Sequence, residues 1–426
     1  MKKIALLALF STMCAALCGC LGAVQADDYI YVVGIGFDRG QQYRYNVSFL
    51  VQAETGGNTQ SAQGGAEVLS AEGDTLHDAM VTLHAGGPFR MNLSRVNTLF
   101  FSEELARSGD MQELSNLAFN ALRIRHSVKL MVCMCEAKSL MQGLCLDNSP
   151  NITKVQFSVF QNYSREGITT VTNYSQFMAC IRDQRQDGAL MLGGIDATAV
   201  HQQDAETEEM TGSSGSGSSG GSGGSGGESG GSSSGGSEEK REFTTEGVIR
   251  IGGMSPYISG TALFDGWYMK GVINGYDTKF LLLARGEFEQ GTISVPSGEN
   301  SWAVLYLRSA KAPDIQLDLK DTPKAQVDIE LVCSVLQYIG DTADVKWKGD
   351  LQDISQRYIE QELQRVFGIC MGLGSDAMGF GRRAAMQFSD TAAWEGYGWK
   401  ERYPDMQAEF TVKLELMDES MSGRLE

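Results

Sequence analysis

Stretches of unbroken or alternating hydrophobicity trade places along this chain with stretches of helical period. Tyr29 to Phe37 is an apolar run closed by the turn residues Asp38, Arg39 and Gly40, and Tyr43 to Ala53 alternates apolar with polar. The pair predicts a β-hairpin. Thr55 to Ala66, with several Gly, Gln and Ser, predicts a flexible loop. Behind a capping Asp74 or Thr75, Leu76, Ala79, Met80 and Leu83 fall on one helical face, which predicts an amphipathic helix. Arg95 to Phe101 follows as a strand, Ser102 to Arg107 and Met111 to Arg123 as helices, Val128 to Cys135 as a mostly buried strand, and Ala137 to Met141 as the start of a short helix. Ser158 to Gln176 reads as a helix and a following loop, with an edge strand over Thr170 to Tyr174 as the alternative. Such alternation predicts a mixed α/β layer structure.

The pattern stops at Gly212 to Ser237, where only Glu228 is neither Gly nor Ser. That composition cannot bury a core and behaves as a coil with a root-mean-square span of about 28 Å. It predicts a tether that loosens the coupling between the two halves. Periodicity resumes with short strands over Val248 to Ile251, Ser259 to Phe264 and Trp267 to Ile273, the last two joined at Asp265-Gly266. Tyr276 to Leu283 is helical, and Gly291 to Pro296 with Ser301 to Ser309 would complete a small antiparallel sheet. Ile315 to Leu319 and Lys324 to Tyr338 pair in a further sheet. Asp353 to Leu373 carries Ile354, Tyr358, Ile359, Leu363, Val366 and Phe367 as one helical stripe. Asp376 to Phe388 predicts a second helix, Trp394 to Glu401 a third that stops before Pro404, and Ala408 to Leu416 a closing strand.

The expected class is therefore α+β, with mixed and antiparallel sheets, packed helices and three domains. The boundaries follow from the pattern: a signal peptide over 1–19, a tether over 20–28, an amino-terminal α/β domain over 29–202, an acidic Gly/Ser linker over 203–240, a middle antiparallel domain over 241–312 and a carboxy-terminal α+β domain over 313–420.

The amino terminus changes the picture, because Lys2 and Lys3 precede an apolar run from Ile4 to Leu17. That run is too short to span ~30 Å of hydrocarbon as a helix and has signal-peptide anatomy. It ends in Leu17-Cys18-Gly19-Cys20. Read as a lipobox, this places the cut between Gly19 and Cys20 and makes Cys20 the site of diacylglyceryl attachment, since only a thiol can carry the lipid as a thioether. Two acyl chains, at ~0.8 kcal/mol per buried methylene, anchor stably where one chain binds marginally. The alternatives are a signal cut after Ala23 or Ala26, which releases a soluble protein, or an uncleaved anchor.

A formal charge of -18 argues against nucleic acid and against adhesion to anionic lipid, so membrane attachment must come from the lipid chains. Once the signal has left and Cys20 is acylated, six cysteines remain: Cys133, Cys135, Cys145, Cys180, Cys333 and Cys370. They admit either disulfides or buried free thiols. No Cys-x-x-Cys occurs, and His77 and His84, seven apart, lack a clustered acid or thiol, so no metal site is expected. Gly34-Ile-Gly36 lacks a third glycine and a following helix, and marks a bulge or a close backbone approach rather than a dinucleotide loop. No Gly-x-Ser-x-Gly elbow is present, and Glu103-Glu104 and Glu208-Glu209 read as solvated acids, so neither catalysis nor a cofactor is expected. Trp394 and Trp399 do not share a helix face, and at least one should pack in a core.

Beyond the lipobox, several stretches resemble one family in order. They are Val33-Gly-Ile-Gly-Phe-Asp38, Gly73-Asp-Thr-Leu-His-Asp-Ala79, Leu99-Phe-Phe-Ser-Glu-Glu-Leu-Ala106 and Arg125 to Val132 in the first half. In the second half they are Gly260-Thr-Ala-Leu-Phe264 with Gly271, Gly291 to Pro296, and Asp376-Ala-Met-Gly-Phe-Gly381 with Trp394, Trp399 and Tyr403-Pro-Asp405. The chain resembles the Ger(x)C family, the lipoprotein C subunits of spore germinant receptors. The resemblance implies a non-enzymatic component on the outer face of the spore inner membrane, acting with a multi-spanning A subunit and a transporter-like B subunit in the response to small nutrient germinants. It also implies a three-domain α+β architecture. The residues after Cys20 lack the family's usual Trp-Asp-Arg-Glu type sequence, and the Gly/Ser insertion is unusually long. A solute-binding lipoprotein of an uptake system is the alternative, and an anchored wall or assembly protein a third.

Overall fold

In the computed structural model the described residues are 29–52, 66–85, 90–120, 122–145, 160–195, 256–298, 301–339 and 347–417. Gly19, Cys20, the loop before Ala66, the Gly/Ser segment and the strand expected over Val248 to Ile251 lie outside them.

β1 (Tyr29–Arg39) and β2 (Tyr45–Gln52) form the expected hairpin. Its register shifts between Val32 and Gly34, as the glycine pair suggested. A Cβ on Gly34 would stand 2.8 Å from the Phe100 ring, and one on Gly36 would stand 2.5 Å from the Met141 sulfur. β3 (Ala66–Gly73) extends the hairpin on its outer side, a strand not expected from sequence. Glu67, Ser70 and Glu72 mask its pattern, because an edge strand is only partly covered and tolerates polar residues on both faces.

α1 (Leu76–Ala85) buries Leu76 and Ala79 as its stripe predicts. Next come β4 (Arg90–Asn92), β5 (Thr98–Ser102), α2 (Glu103–Ser108), α3 (Met111–Asn120), β6 (Lys129–Cys133) and α4 (Ala137–Cys145). The helix and following loop expected over Ser158 to Gln176 are seen as a helical turn through 160–165 and irregular chain from 166 to 173, no edge strand forms over Thr170 to Tyr174, and an unexpected helix, α5 (Tyr174–Asp183), begins before Gln176. The Asn173 side chain accepts from the Gln176 N–H while the Gln176 side chain accepts from the Asn173 N–H, a capping box that starts the helix where polar composition suggested coil. β7 (Ala189–Ile195) follows, and then β8 (Pro256–Asp265) and β9 (Tyr268–Ile273).

These strands form one nine-stranded sheet in the order β3-β2-β1-β5-β6-β7-β8-β9, with β4 on β1. Its centre, β1-β5-β6-β7, is parallel and its two wings are antiparallel. The Gly/Ser segment does not separate two loosely joined halves. The described strands that flank it in sequence, β7 and β8, lie side by side in one sheet with Ile195 opposite Pro256.

α6 (Gly275–Arg285) starts at Asn274, whose side chain accepts from the Asp277 N–H at 2.8 Å, and stops at Gly286 with φ +76. β10 (Gln290–Gly298), β11 (Ser301–Ser309), β12 (Asp314–Asp318), β13 (Lys324–Ile339) and β14 (Gln407–Leu416) make a second, five-stranded sheet. The antiparallel sheet expected within 241–312 is thus divided: β8 and β9 complete the first sheet, while β10 and β11 open the second. Both pairs alternate as half-buried strands do, so periodicity could not say which sheet each joins.

α7 (Trp347–Gly372) packs on the second sheet with Ile359, Leu363, Val366 and Phe367 buried. The helix expected over Asp376 to Phe388 shrinks to α8 (Phe380–Ala385), because Asp376 is turned inward as its cap. The third expected helix splits into α9 (Thr391–Tyr397) and α10 (Trp399–Arg402) at Gly398, which has φ +66. Both Trp394 and Trp399 are buried. The apolar cluster between the second sheet, α6 and α7 also takes in Ala189, Leu263 and Ile273 of the first sheet, so the two sheets share a core.

Candidate functional site: a buried acid junction between the sheets

The family-like stretch Asp376 to Gly381 lies where the two sheets meet. α7 ends, Gly374 turns the chain with φ +64, and the Ser375 hydroxyl donates to the Phe264 carbonyl of β8 at 2.6 Å. Asp376 is then 1% exposed. Its carboxylate accepts four N–H groups: Gly379 at 3.0 Å and Phe380 at 2.9 Å on Oδ1, Gly381 at 2.6 Å and the Trp399 indole at 3.1 Å on Oδ2. Three of the donors are the N-cap residue Gly379 and the first two residues of α8, whose unpaired amides and dipole favour an anion there. Gly381 is required by space, since a Cβ would stand 2.4 Å from Trp399 Nε1 and 2.6 Å from the Arg185 carbonyl.

Asp187, just before β7, faces Asp376 from the first sheet. The Asp376 N–H donates to Asp187 Oδ2 at 2.7 Å, and the Asp187 N–H donates to the Asp376 carbonyl at 3.2 Å. Lys400 of α10 reaches both Asp187 oxygens at 2.5 and 2.6 Å, and Asp265 at the end of β8 at 2.8 Å. The Tyr403 hydroxyl donates to the Ser375 carbonyl at 3.1 Å, and Trp399 stacks between Trp394 and Tyr403 at centroid distances of 6.0 and 5.8 Å.

Burial pushes the Asp376 carboxyl up to about 7; the Asp187 charge adds to the rise, and the amide and indole donors oppose it. Burial raises Asp187 as well, against the pull of Lys400. For Lys400 itself burial acts downward, yet Asp187 and Asp265 hold it above its ordinary value. Ser375, Asp376, Asp187, Lys400, Trp399 and Tyr403 all find hydrogen-bond partners, and the arrangement acts as a clamp fixing the second sheet and its helices against β7 and β8.

The first half repeats the device. Asp38, which closes the other family-like stretch, is 3% exposed, and its carboxylate accepts the Ala137 N–H at 2.7 Å and the Lys138 N–H at 3.0 Å at the start of α4. Both glycine-rich motifs thus carry a buried aspartate that accepts the amides opening a helix, Asp376 for α8 directly after it and Asp38 for α4 far along the chain. Sequence reading missed Asp187, Lys400 and Asp265, because partners 135 and 213 residues apart leave no local spacing. The Gly379-Phe-Gly381 doublet after Asp376 was the available signal, since small residues beside an acid leave amides accessible to it.

The remaining candidates are dispersed. All six described cysteines are free. Burial raises each thiol, to about 11 at Cys135 and Cys145 and about 12 at Cys333 and Cys370, which keeps them protonated and unreactive. Glu103 pairs with Arg107 and Glu104 with Arg39 at the surface. Among the described residues no group of His, Cys, Asp and Glu could hold a metal ion, and no helix is long and apolar enough to cross a membrane.

A mixed nine-stranded sheet clamped to a helix-backed five-stranded sheet makes an α+β fold, and its likeness lies with spore germination proteins. The solved "Crystal Structure of the GerBC protein" matches with a TM-score of 0.51 at 9% identity, covering 90% of this chain and 97% of that one. Residues 22–196 match the family model described as "Spore germination protein N-terminal domain", and residues 259–419 match "Spore germination B3/GerAC like, C-terminal". The chain belongs to this GerAC-like family of germinant receptor C subunits, which is not a known enzyme family. No curated protein matches it in sequence.

Proposed function

We propose that the protein is the lipid-anchored C subunit of a nutrient germinant receptor. Cys20 holds it on the outer face of the spore inner membrane, where the A and B membrane subunits lie and the small-molecule germinant acts through the complex. The observation that carries this reading is that both family domains match in order, 22–196 before the Gly/Ser segment and 259–419 after it, on one fold whose first sheet is completed from both sides of that segment. A lipobox immediately upstream of the first domain supports the anchor. The solute-binding alternative requires lobes that open about a hinge, and a shared core with a buried ionic clamp speaks against one. The test is a Cys20→Ala variant expressed beside a deletion strain. Loss of radiolabelled palmitate, a move to the soluble fraction and failure to germinate on the nutrient are expected, with vegetative growth unchanged. Unaltered membrane distribution of the variant contradicts the anchor, and a normal nutrient response in the deletion strain contradicts the receptor role.

A further inference from the structure

On the outer side of the junction a cleft of about 390 Å³ opens between α5, α6 and α8. In a chain of net charge -18 it is lined by three arginines, Arg185 after α5, Arg285 at the end of α6 and Arg382 on α8, and one acid, Glu287. Asp187, behind the cleft, is already neutralised by Lys400. The three arginines come from three separate elements on both sides of the sheet boundary, so their convergence is a product of the fold and not of a basic run in the sequence.

Their donors are incompletely used. Arg285 gives one nitrogen to Glu287 at 3.0 Å and another to the Ala377 carbonyl at 3.4 Å, while its Nε is buried without an acceptor. The Nε of Arg185 is likewise buried without an acceptor. Neither Arg185 nor Arg382 has a carboxylate partner among the described residues. An unmatched buried donor costs about 1–3 kcal/mol, and more on a charged group. Such a cost is offset when an oxyanion supplies the acceptors, and a guanidinium fork matches the oxygens of a carboxylate or phosphate. A volume of 390 Å³ falls in the range of small-molecule sites. Gln176 and Gln186 add neutral hydrogen-bonding groups to the wall.

We propose that the cleft between α5, α6 and α8 is a binding site for a small molecule bearing a carboxylate or phosphate, held by Arg185, Arg285 and Arg382. The ligand spans both sheets and stiffens their boundary next to the Asp376 clamp. The experiment titrates the full chain with inorganic phosphate in one arm and citrate in the other, by calorimetry and thermal unfolding, against sodium chloride of matched ionic strength. Saturable binding and a raised unfolding midpoint are expected in at least one arm, and the arm that responds identifies the oxyanion class. Arg382 is exposed and Glu287 half-exposed, so Arg382→Gln and Glu287→Gln variants keep the fold. Arg382→Gln should weaken binding at least tenfold, and Glu287→Gln, which removes the competing acid, should strengthen it. No response in either arm beyond the chloride control overturns the proposal, as does an Arg382→Gln variant that binds like the parent.

Discussion

Replacing Asp376 by Asn removes one acceptor oxygen from the junction while leaving side-chain size unchanged. Four N–H groups converge on the carboxylate, two on each oxygen. The amide of Asn keeps one oxygen and turns an NH2 toward the other pair, so two buried donors lose their acceptor in either orientation. At about 1–3 kcal/mol for each donor, the loss is about 2–6 kcal/mol, a large part of the stability of an ordinary domain. Asp376 is 1% exposed, so water cannot replace the missing oxygen. Where the carboxyl is ionised, above the value of about 7 to which burial pushes it, neutralising the buried charge offsets part of this loss; at pH 6 the protonated oxygen keeps a lone pair for one of its two donors, which the NH2 of Asn lacks, so about 1–3 kcal/mol remains and the comparison is made there. Urea unfolding followed by tryptophan fluorescence reads the difference, since Trp394 and Trp399 sit at the junction. A Trp399→Phe change should be coupled to Asp376→Asn in a double-mutant cycle, because the two share a hydrogen bond. A loss under about 1 kcal/mol, or full additivity of the two changes, refutes the clamp.

Three further outcomes follow from the same geometry. Lys400→Met strands Asp187, which is only 3% exposed, and should cost about 3–5 kcal/mol in the same unfolding assay; loss of the 43% exposed Asp265 partner should contribute little. Gly381→Ala forces a methyl against Trp399 and the Arg185 carbonyl and should destabilise by about 1–3 kcal/mol, with a changed Trp fluorescence maximum. Asp376 has a folded pKa of about 7, raised above the ordinary carboxyl value near 3.9. Its contribution is therefore fully present below pH ~4 and lost as pH rises through 7, and Asp187, raised likewise, adds in the same direction. Stability measured from pH 5 to pH 8 should carry a falling component that Asp376→Asn reduces.

The sequence carried elements more fully than it carried their assembly. The hairpin at Tyr29, the stripe of α7 and the glycine approach at Gly34 and Gly36 were legible because each rests on local period or local space. β3 was hidden because an edge strand needs no clean alternation, and α5 because the polar residues at its start, Asn173, Ser175 and Gln176, masked the short stripe of Tyr174, Phe177, Met178 and Ile181 that packs on the first sheet's core. The division of β8, β9, β10 and β11 between two sheets was not legible, since alternation fixes the faces of a strand but not its neighbour. The Gly/Ser segment misled for the same reason: its composition says nothing of how the strands before and after it are arranged, and β7 and β8 pair. Asp376 stood in a recognisable motif, yet its partners Asp187 and Lys400 are brought together only by the finished fold.

The receptor assignment is tested most directly by capturing a tagged copy of the full chain from detergent-extracted spore inner membranes and identifying its companions by mass spectrometry. The account predicts a multi-spanning A subunit and a transporter-like B subunit in the captured complex, lost when the membranes come from a strain lacking them. Capture of the chain alone, or with the permease of an uptake system in their place, contradicts it.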